Sequence, residues 1–135
     1  MKNIKNLQNR ISIGSVCVIE NPINMRYFTG SNIDTGCLVI SKENCFFITD
    51  FRYIEVAEKH FENSDISVVL QDNLSLQLSK IFNNCSAKKM LIETDYQSIS
   101  KLSFFRKITE NVVTDNTLDK IISDLRSIKT LYEIE

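Results

Sequence analysis

The stretch Met25–Glu58, MRYFTGSNIDTGCLVISKENCFFITDFRYIEVAE, decides the fold. Within it, Cys37-Leu38-Val39-Ile40 and Cys45-Phe46-Phe47-Ile48 are unbroken apolar runs joined by the polar turn Lys42-Glu43-Asn44. A hairpin resting on one core would alternate apolar and polar residues, so unbroken runs predict strands covered on both faces. Two covered faces require helices above and below the sheet. The loop Thr29-Gly30-Ser31-Asn32 leads into the hairpin, and Asp50-Phe51-Arg52-Tyr53 leads out of it. There Asp50 is placed to cap a helix whose apolar face is Ile54, Ala57 and Phe61.

Outward from this stretch the pattern is regular. Ile4, Leu7 and Ile11 recur at helical spacing and predict a short amphipathic helix, ended by Gly14-Ser15. Val16–Ile19 is an apolar run of strand length, closed by Asn21-Pro22, because proline cannot extend the ladder. Downstream, strands are predicted at Ile66–Leu70, Met90–Ile92 and Val112-Val113. Between and after them, helices are marked by Leu74, Leu78, Ile81 and Phe82, then Ile99, Leu102 and Phe105, then Leu118, Ile121, Ile122 and Leu125. Asp95 precedes the second of these and Asp115 or Thr117 the third, each placed as a cap. This alternation predicts an α/β domain of three layers, α/β/α, and the hairpin makes its sheet of about six strands mixed rather than parallel.

Composition narrows the function classes. The chain has 135 residues, 43% hydrophobic and 24% charged, enough for one ordinary globular domain. A formal net charge of -1 offers no basic surface for nucleic acid or an anionic membrane. Lys88-Lys89 reads as the solvated start of a strand. No segment approaches the ~20 apolar residues of a membrane span and the first residues hold no signal-peptide core, which places the protein in the cytosol. Cys17, Cys37, Cys45 and Cys85 show no C-x-x-C spacing, and Cys37 and Cys45 stand too far apart along the hairpin for a disulfide. Reduced, mostly buried thiols are expected.

Catalytic motifs are sparse. There is no Gly-x-Ser-x-Gly elbow, no dinucleotide-binding glycine loop and no P-loop. The single histidine, His60, falls inside a helix with no ligand at metal-binding spacing. Asp34, Asp50, Glu93 and Asp95 all fall near strand ends, where carboxylates either cap helices or hold a divalent metal; capping is the simpler role. Arg52 stands out because a cation in the first turn of a helix opposes the macrodipole. Such a guanidinium serves either a carboxylate on a substrate or partner, or an internal ion pair with Asp34 or Glu55.

Three motifs carry a family likeness. Asn24-Met25-Arg26-Tyr27-Phe28-Thr29-Gly30-Ser31-Asn32 before the hairpin, Thr49-Asp50-Phe51-Arg52-Tyr53-Ile54-Glu55 after it, and Leu125-Arg126-Ser127-Ile128-Lys129-Thr130-Leu131-Tyr132-Glu133-Ile134 occur in that order. Together they resemble the amino-terminal domain of the creatinase/prolidase/Xaa-Pro aminopeptidase family. The resemblance implies a ribonuclease-H-like α/β topology and a domain that precedes a pita-bread metallopeptidase domain. In the family that second domain binds two divalent metals, manganese, cobalt or zinc, and cleaves the bond before proline. The resemblance implies that the two Asp, one His and two Glu that hold those metals all belong to the second domain, so no catalytic residue, metal or cofactor is assigned to these 135 residues.

The likeness implies residues 1–128 as the amino-terminal domain and 129–135 as a linker and the start of the first catalytic-domain helix. Thr130 and Glu133 fit the capping box of such a helix, Thr130 as its N-cap, although Leu131 stands where the family often has proline. The implied role is non-catalytic: covering the active site and supporting a homodimer, in a parent that acts on peptides as an Xaa-Pro aminopeptidase or dipeptidase. Arg52, Tyr53, Tyr27, Ser31 and Asn32 are the residues expected to face substrate or partner, including the protein's own catalytic domain. Two further readings are a free-standing α/β binding or dimerisation module and, more remotely, a ribonuclease-H-like nuclease using the strand-end carboxylates.

Overall fold

The computed structural model describes residues 1–134, with side chains described through Ile128. The chain order is α1 (Lys2–Arg10), β1 (Ser15–Ile19), α2 (Pro22–Thr29), β2 (Cys37–Ser41), β3 (Cys45–Thr49), α3 (Ile54–His60), β4 (Ile66–Leu70), α4 (Leu74–Asn84), β5 (Lys89–Ile92), α5 (Ile99–Arg106), β6 (Val112–Val113) and α6 (Thr117–Ile134). The strands form one sheet in the order β4-β3-β2-β1-β5-β6. β2 is antiparallel to both β1 and β3, whereas β1, β5 and β6 run parallel, as do β3 and β4. All strands but β2 therefore point the same way, and their carboxyl ends share one edge.

The sheet is covered on both faces, as the unbroken apolar runs require. Cys17, Ile19, Leu38, Ile40, Cys45 and Phe47 face a core completed by Ile4 and Leu7 of α1, Met25 and Phe28 of α2, Ala57 of α3 and Leu118, Ile122 and Leu125 of α6. Val16, Val18, Cys37, Val39, Ile48, Met90 and Ile92 face a second core under Leu78, Ile81 and Phe82 of α4 and Phe105 of α5. Phe47 and Phe61 meet in the first core with ring centroids 5.5 Å apart. Each such fully buried side chain contributes about 1.5–3 kcal/mol by leaving water.

Several local expectations are corrected. Asp50 does not cap α3, whose N-cap is Tyr53 without a side-chain bond. Its Oδ1 instead accepts from the backbone N–H of Arg52 at 2.9 Å, closing a turn ahead of the helix. Asp95 does not cap α5; Ser98 does, accepting from the N–H of Lys101 at 3.1 Å. Asp115 does hold the start of α6, accepting from the N–H of Thr117. Ile99 is 85% exposed, because α5 turns only Leu102, Phe104 and Phe105 to the core. In the hairpin Cys45 pairs with Ile40, which leaves Cys37 three positions up the ladder and on the other face of the sheet. All four cysteines are free thiols.

Thr130 is not an N-cap. An N-cap residue leaves helical geometry, and α6 runs unbroken from Thr117 to Ile134. The reach of Glu133 back toward Thr130 lies outside the described side chains. No helix is long and apolar enough to cross a membrane among the described residues.

Candidate functional site

The shared carboxyl edge of the sheet gathers the polar segments that follow β1, β3 and β5. At the end of β3, Arg52 Nη2 lies 2.7 Å from Asp50 Oδ2, and its guanidinium carbon stands 5.2 Å from the centroid of the Tyr53 ring. The arginine thus has an internal ion pair, but with Asp50 rather than Asp34 or Glu55. The Arg52 hydrogen bond holds the Asp50 carboxyl below the usual range, and the same bond raises Arg52. Its side chain remains 58% exposed, so the pair orients the guanidinium without removing it from solvent. Phe51 beside it is 80% exposed, whereas Tyr53 is half-buried against the first core.

The Thr29–Ile33 loop is held by its own hydroxyls. Thr29 Oγ1 donates to the Met25 carbonyl at 2.8 Å and accepts from the N–H of Ser31 at 3.1 Å. Ser31 Oγ then accepts from the N–H of Ile33 at 3.2 Å. Gly30 ends α2 with φ +69°, the left-handed geometry that glycine adopts without penalty. His60 Nε2 lies 2.9 Å from the Thr29 carbonyl oxygen, tying α3 to this loop. Ser31, expected to face a substrate or partner, is only 6% exposed and is spent on the loop's internal bonds. The Tyr27 hydroxyl donates to the Leu125 carbonyl at 3.1 Å, binding α2 to α6. Of the five expected contact residues, Arg52 and Asn32 are exposed, Tyr53 and Tyr27 half-buried and Ser31 buried.

A second cluster was not anticipated. Glu93, directly after β5, is fully buried. Its Oε1 accepts from the N–H groups of Glu20 at 2.7 Å and Asn21 at 3.0 Å, and its Oε2 accepts from Asn24 Nδ2 at 2.6 Å. Asn24 Oδ1 in turn accepts from Arg126 Nη1 at 3.3 Å. An internal carboxylate therefore sits at the amino end of α2, where the helix dipole favours an anion. Burial nevertheless raises the Glu93 carboxyl above its ordinary value, outweighing these donors, and the Asp119 charge pushes the same way. The sequence signal was present in a glutamate abutting the apolar run Met90–Ile92, but a strand-end carboxylate reads equally as a cap or ligand.

Among the described residues, no group of three histidine, cysteine or acidic side chains could hold a metal ion. Asp34, Asp50, Glu93 and Asp95 are not assembled into a ligand set, since Asp50 is engaged by Arg52 and Glu93 by backbone and amide donors. The carboxyl edge can present a guanidinium, an aromatic ring and amides for recognition.

A family model described as the Creatinase/Prolidase N-terminal domain matches residues 7–128. The chain belongs to that family. It is 35% identical over 66 residues to the uncharacterized peptidase YqhT of Bacillus subtilis, a match spanning 49% of this chain and 18% of that protein. It also superposes on the Xaa-Pro dipeptidase from Bacillus anthracis with a TM-score of 0.73 at 23% identity, covering 90% of this chain and 35% of that one. The N-terminal domain of the cytoplasmic peptidase PepQ from Mycobacterium tuberculosis gives a TM-score of 0.74 at 19% identity, covering 89% and 98% of the two chains. The chain thus spans well under two thirds of YqhT and of the B. anthracis enzyme, and nearly all of the isolated PepQ domain.

Proposed function

We propose that this chain is the non-catalytic amino-terminal domain of a cytoplasmic, metal-dependent Xaa-Pro peptidase, either aminopeptidase or dipeptidase. In this reading residues 1–128 form the domain, and the carboxyl end of α6 leads into a catalytic domain that binds two divalent metals. The domain covers the active site, its own or that of a second subunit, and supports a homodimer. The observation that carries the proposal is the exposed, pre-oriented Arg52 on the carboxyl edge of a fold shared with such peptidases. A guanidinium held on Asp50 and laid against Tyr53 is suited to grip a carboxylate, as a peptide or a facing domain supplies.

The test has two arms. The 135-residue chain with added manganese is expected to leave Xaa-Pro peptides intact; cleavage by the pure chain would overturn the non-catalytic reading. In the protein encoded by the complete reading frame, Arg52→Ala is expected to lower kcat/KM for Xaa-Pro substrates or weaken the dimer while the melting temperature holds. If instead the frame encodes no metal-binding domain, the reading fails and a free-standing module replaces it.

A further inference from the structure

β4 forms one edge of the sheet and β6 the other. A strand edge is a template for pairing, and chains usually blunt it with a short strand, lysine, proline or a bulge. β6 is blunted by length, having only Val112-Val113. β4 runs through Ile66-Ser67-Val68-Val69-Leu70 with neither a charge nor a proline. Leu70 is 50% exposed, Ser67 is exposed, and Val68 and Val69 are half-buried.

The ladder fixes which backbone groups of β4 face outward. β3 and β4 pair in parallel with Thr49 beside Leu70, and the Gln71 N–H donates to the Thr49 carbonyl at 2.7 Å. Alternation along the strand then turns the backbone groups of Ser67 and Val69 toward β3, and those of Ile66, Val68 and Leu70 away from it. Two of the outward groups are satisfied within the chain. The Ile66 N–H donates to Ser64 Oγ at 3.3 Å, and the Leu70 carbonyl accepts from Gln77 Nε2 at 2.9 Å. The Ile66 carbonyl, both backbone groups of Val68 and the Leu70 N–H have no partner among the described residues.

We propose that β4 pairs antiparallel with β4 of a second copy of this chain, about a two-fold axis at Val68. In that register Val68 exchanges both of its bonds with Val68 of the second copy, and each Leu70 N–H meets an Ile66 carbonyl across the axis. Every open group finds its complement, and the two groups capped by Ser64 and Gln77 are the ones left facing each other. Asp65 falls opposite Gln71 and Asp72 opposite Ser64, so no carboxylate faces another. Ile66 and Val68 belong to the first core. Leu70, on the same side of the strand, packs on the second copy's Ile66 and carries that core across the axis. The inference names a surface for the homodimer of the proposed function and rests on that reading for the homodimer alone, not for a catalytic domain.

The test is sedimentation velocity of the 135-residue protein from about 10 to 500 µM, with amide hydrogen exchange over the same range. A single strand edge makes a small interface, so a dissociation constant of about 10–100 µM is expected. The amides of Val68 and Leu70 should gain protection with concentration, whereas those of Ser67 and Val69, already bonded to β3, should not change. Leu70→Pro removes an outward N–H and no bond to β3, and Leu70→Lys sets a charge on the edge. Each should weaken association about tenfold or more, and the lysine variant keeps the result readable if proline disturbs the fold. Ile99→Lys, at an 85% exposed apolar position on α5, should associate as the parent does. A chain that stays monomeric, protection at Val68 and Leu70 that ignores concentration, or Leu70 variants that associate like the parent overturns the proposal. A dimer of the protein from the complete reading frame that survives Leu70→Lys then keeps the homodimer on another surface, so the two readings fail separately.

Discussion

Asn24 Nδ2 donates to Glu93 Oε2 at 2.6 Å, a buried bond between residues 69 positions apart in sequence. With the two backbone donors on Oε1, it fastens the start of α2 to the ends of β1 and β5. Glu93→Ala leaves three donors facing an empty space, and is expected to destabilise the fold by roughly 2–3 kcal/mol. Asn24→Ala leaves Glu93 its two backbone donors and should cost less, about 1–2 kcal/mol. Urea unfolding of both variants checks the order.

The same carboxyl gives stability a pH dependence of definite sign. Burial raises the folded-state value of Glu93 above that of the unfolded chain, so its contribution is fully present below about pH 4.3. It is lost as pH rises through the raised value. Asp50 behaves oppositely, because Arg52 lowers it: its contribution is present above about pH 3.9 and lost as pH falls through the lowered value. Stability profiles of the parent and Glu93→Gln should therefore converge or cross as pH rises from 4, with the parent losing ground. A parent that gains on the variant over that window would contradict the assignment.

Glycine substitutions should separate strain from space. A Cβ on Gly36 would lie 2.6 Å from the Ile48 carbonyl oxygen, at φ +119°. Gly36→Ala must therefore displace the backbone of β3 and is expected to cost about 3 kcal/mol or more. Gly30 meets nothing within 4 Å at φ +69°, so Gly30→Ala carries only the left-handed penalty of about 1–2 kcal/mol. Equal losses in chemical denaturation would refute the distinction.

Thiol chemistry offers an independent check on burial. Cys17 and Cys45 are pushed up to about 12 by desolvation, and Cys37 is raised well above its ordinary value. A thiolate is the reactive form, so a disulfide reagent at pH 8 should label native Cys85 first. The other three should react only on unfolding. Rapid labelling of Cys17 in the native protein would show that the first core opens.

Much of the fold was legible because strand and helix periods were unambiguous. The unbroken runs Cys37–Ile40 and Cys45–Ile48 announced a sheet buried on both faces, and the two cores supply that cover. Helix starts were less legible. Asp50, Asp95 and Thr130 each have a residue type that caps, yet capping depends on where the backbone leaves helical geometry, which tertiary packing decides. Ile99 failed similarly, since helical spacing fixes a shared face only once the helix has a partner. At the site, Arg52 stands out in the sequence as a cation in the first turn of a helix, but it lies in the turn before the Tyr53 N-cap, outside α3, and its partner is Asp50 rather than Asp34 or Glu55. Glu93 stayed hidden because two of its three donors are backbone groups of Glu20 and Asn21, between β1 and α2, and backbone amides leave no mark in a sequence.

The two-sided sheet has one more consequence. Leu38 and Val39 are joined by a peptide bond, yet they belong to different cores. Leu38 and Phe47 lie on separate strands but are cross-strand partners in one core. The sheet's backbone is a partition, and parity along a strand decides which side of it an alteration is felt. Sequence distance is therefore a poor guide to energetic coupling in this domain: covalent neighbours act as independent sites, and residues nine positions apart act as one.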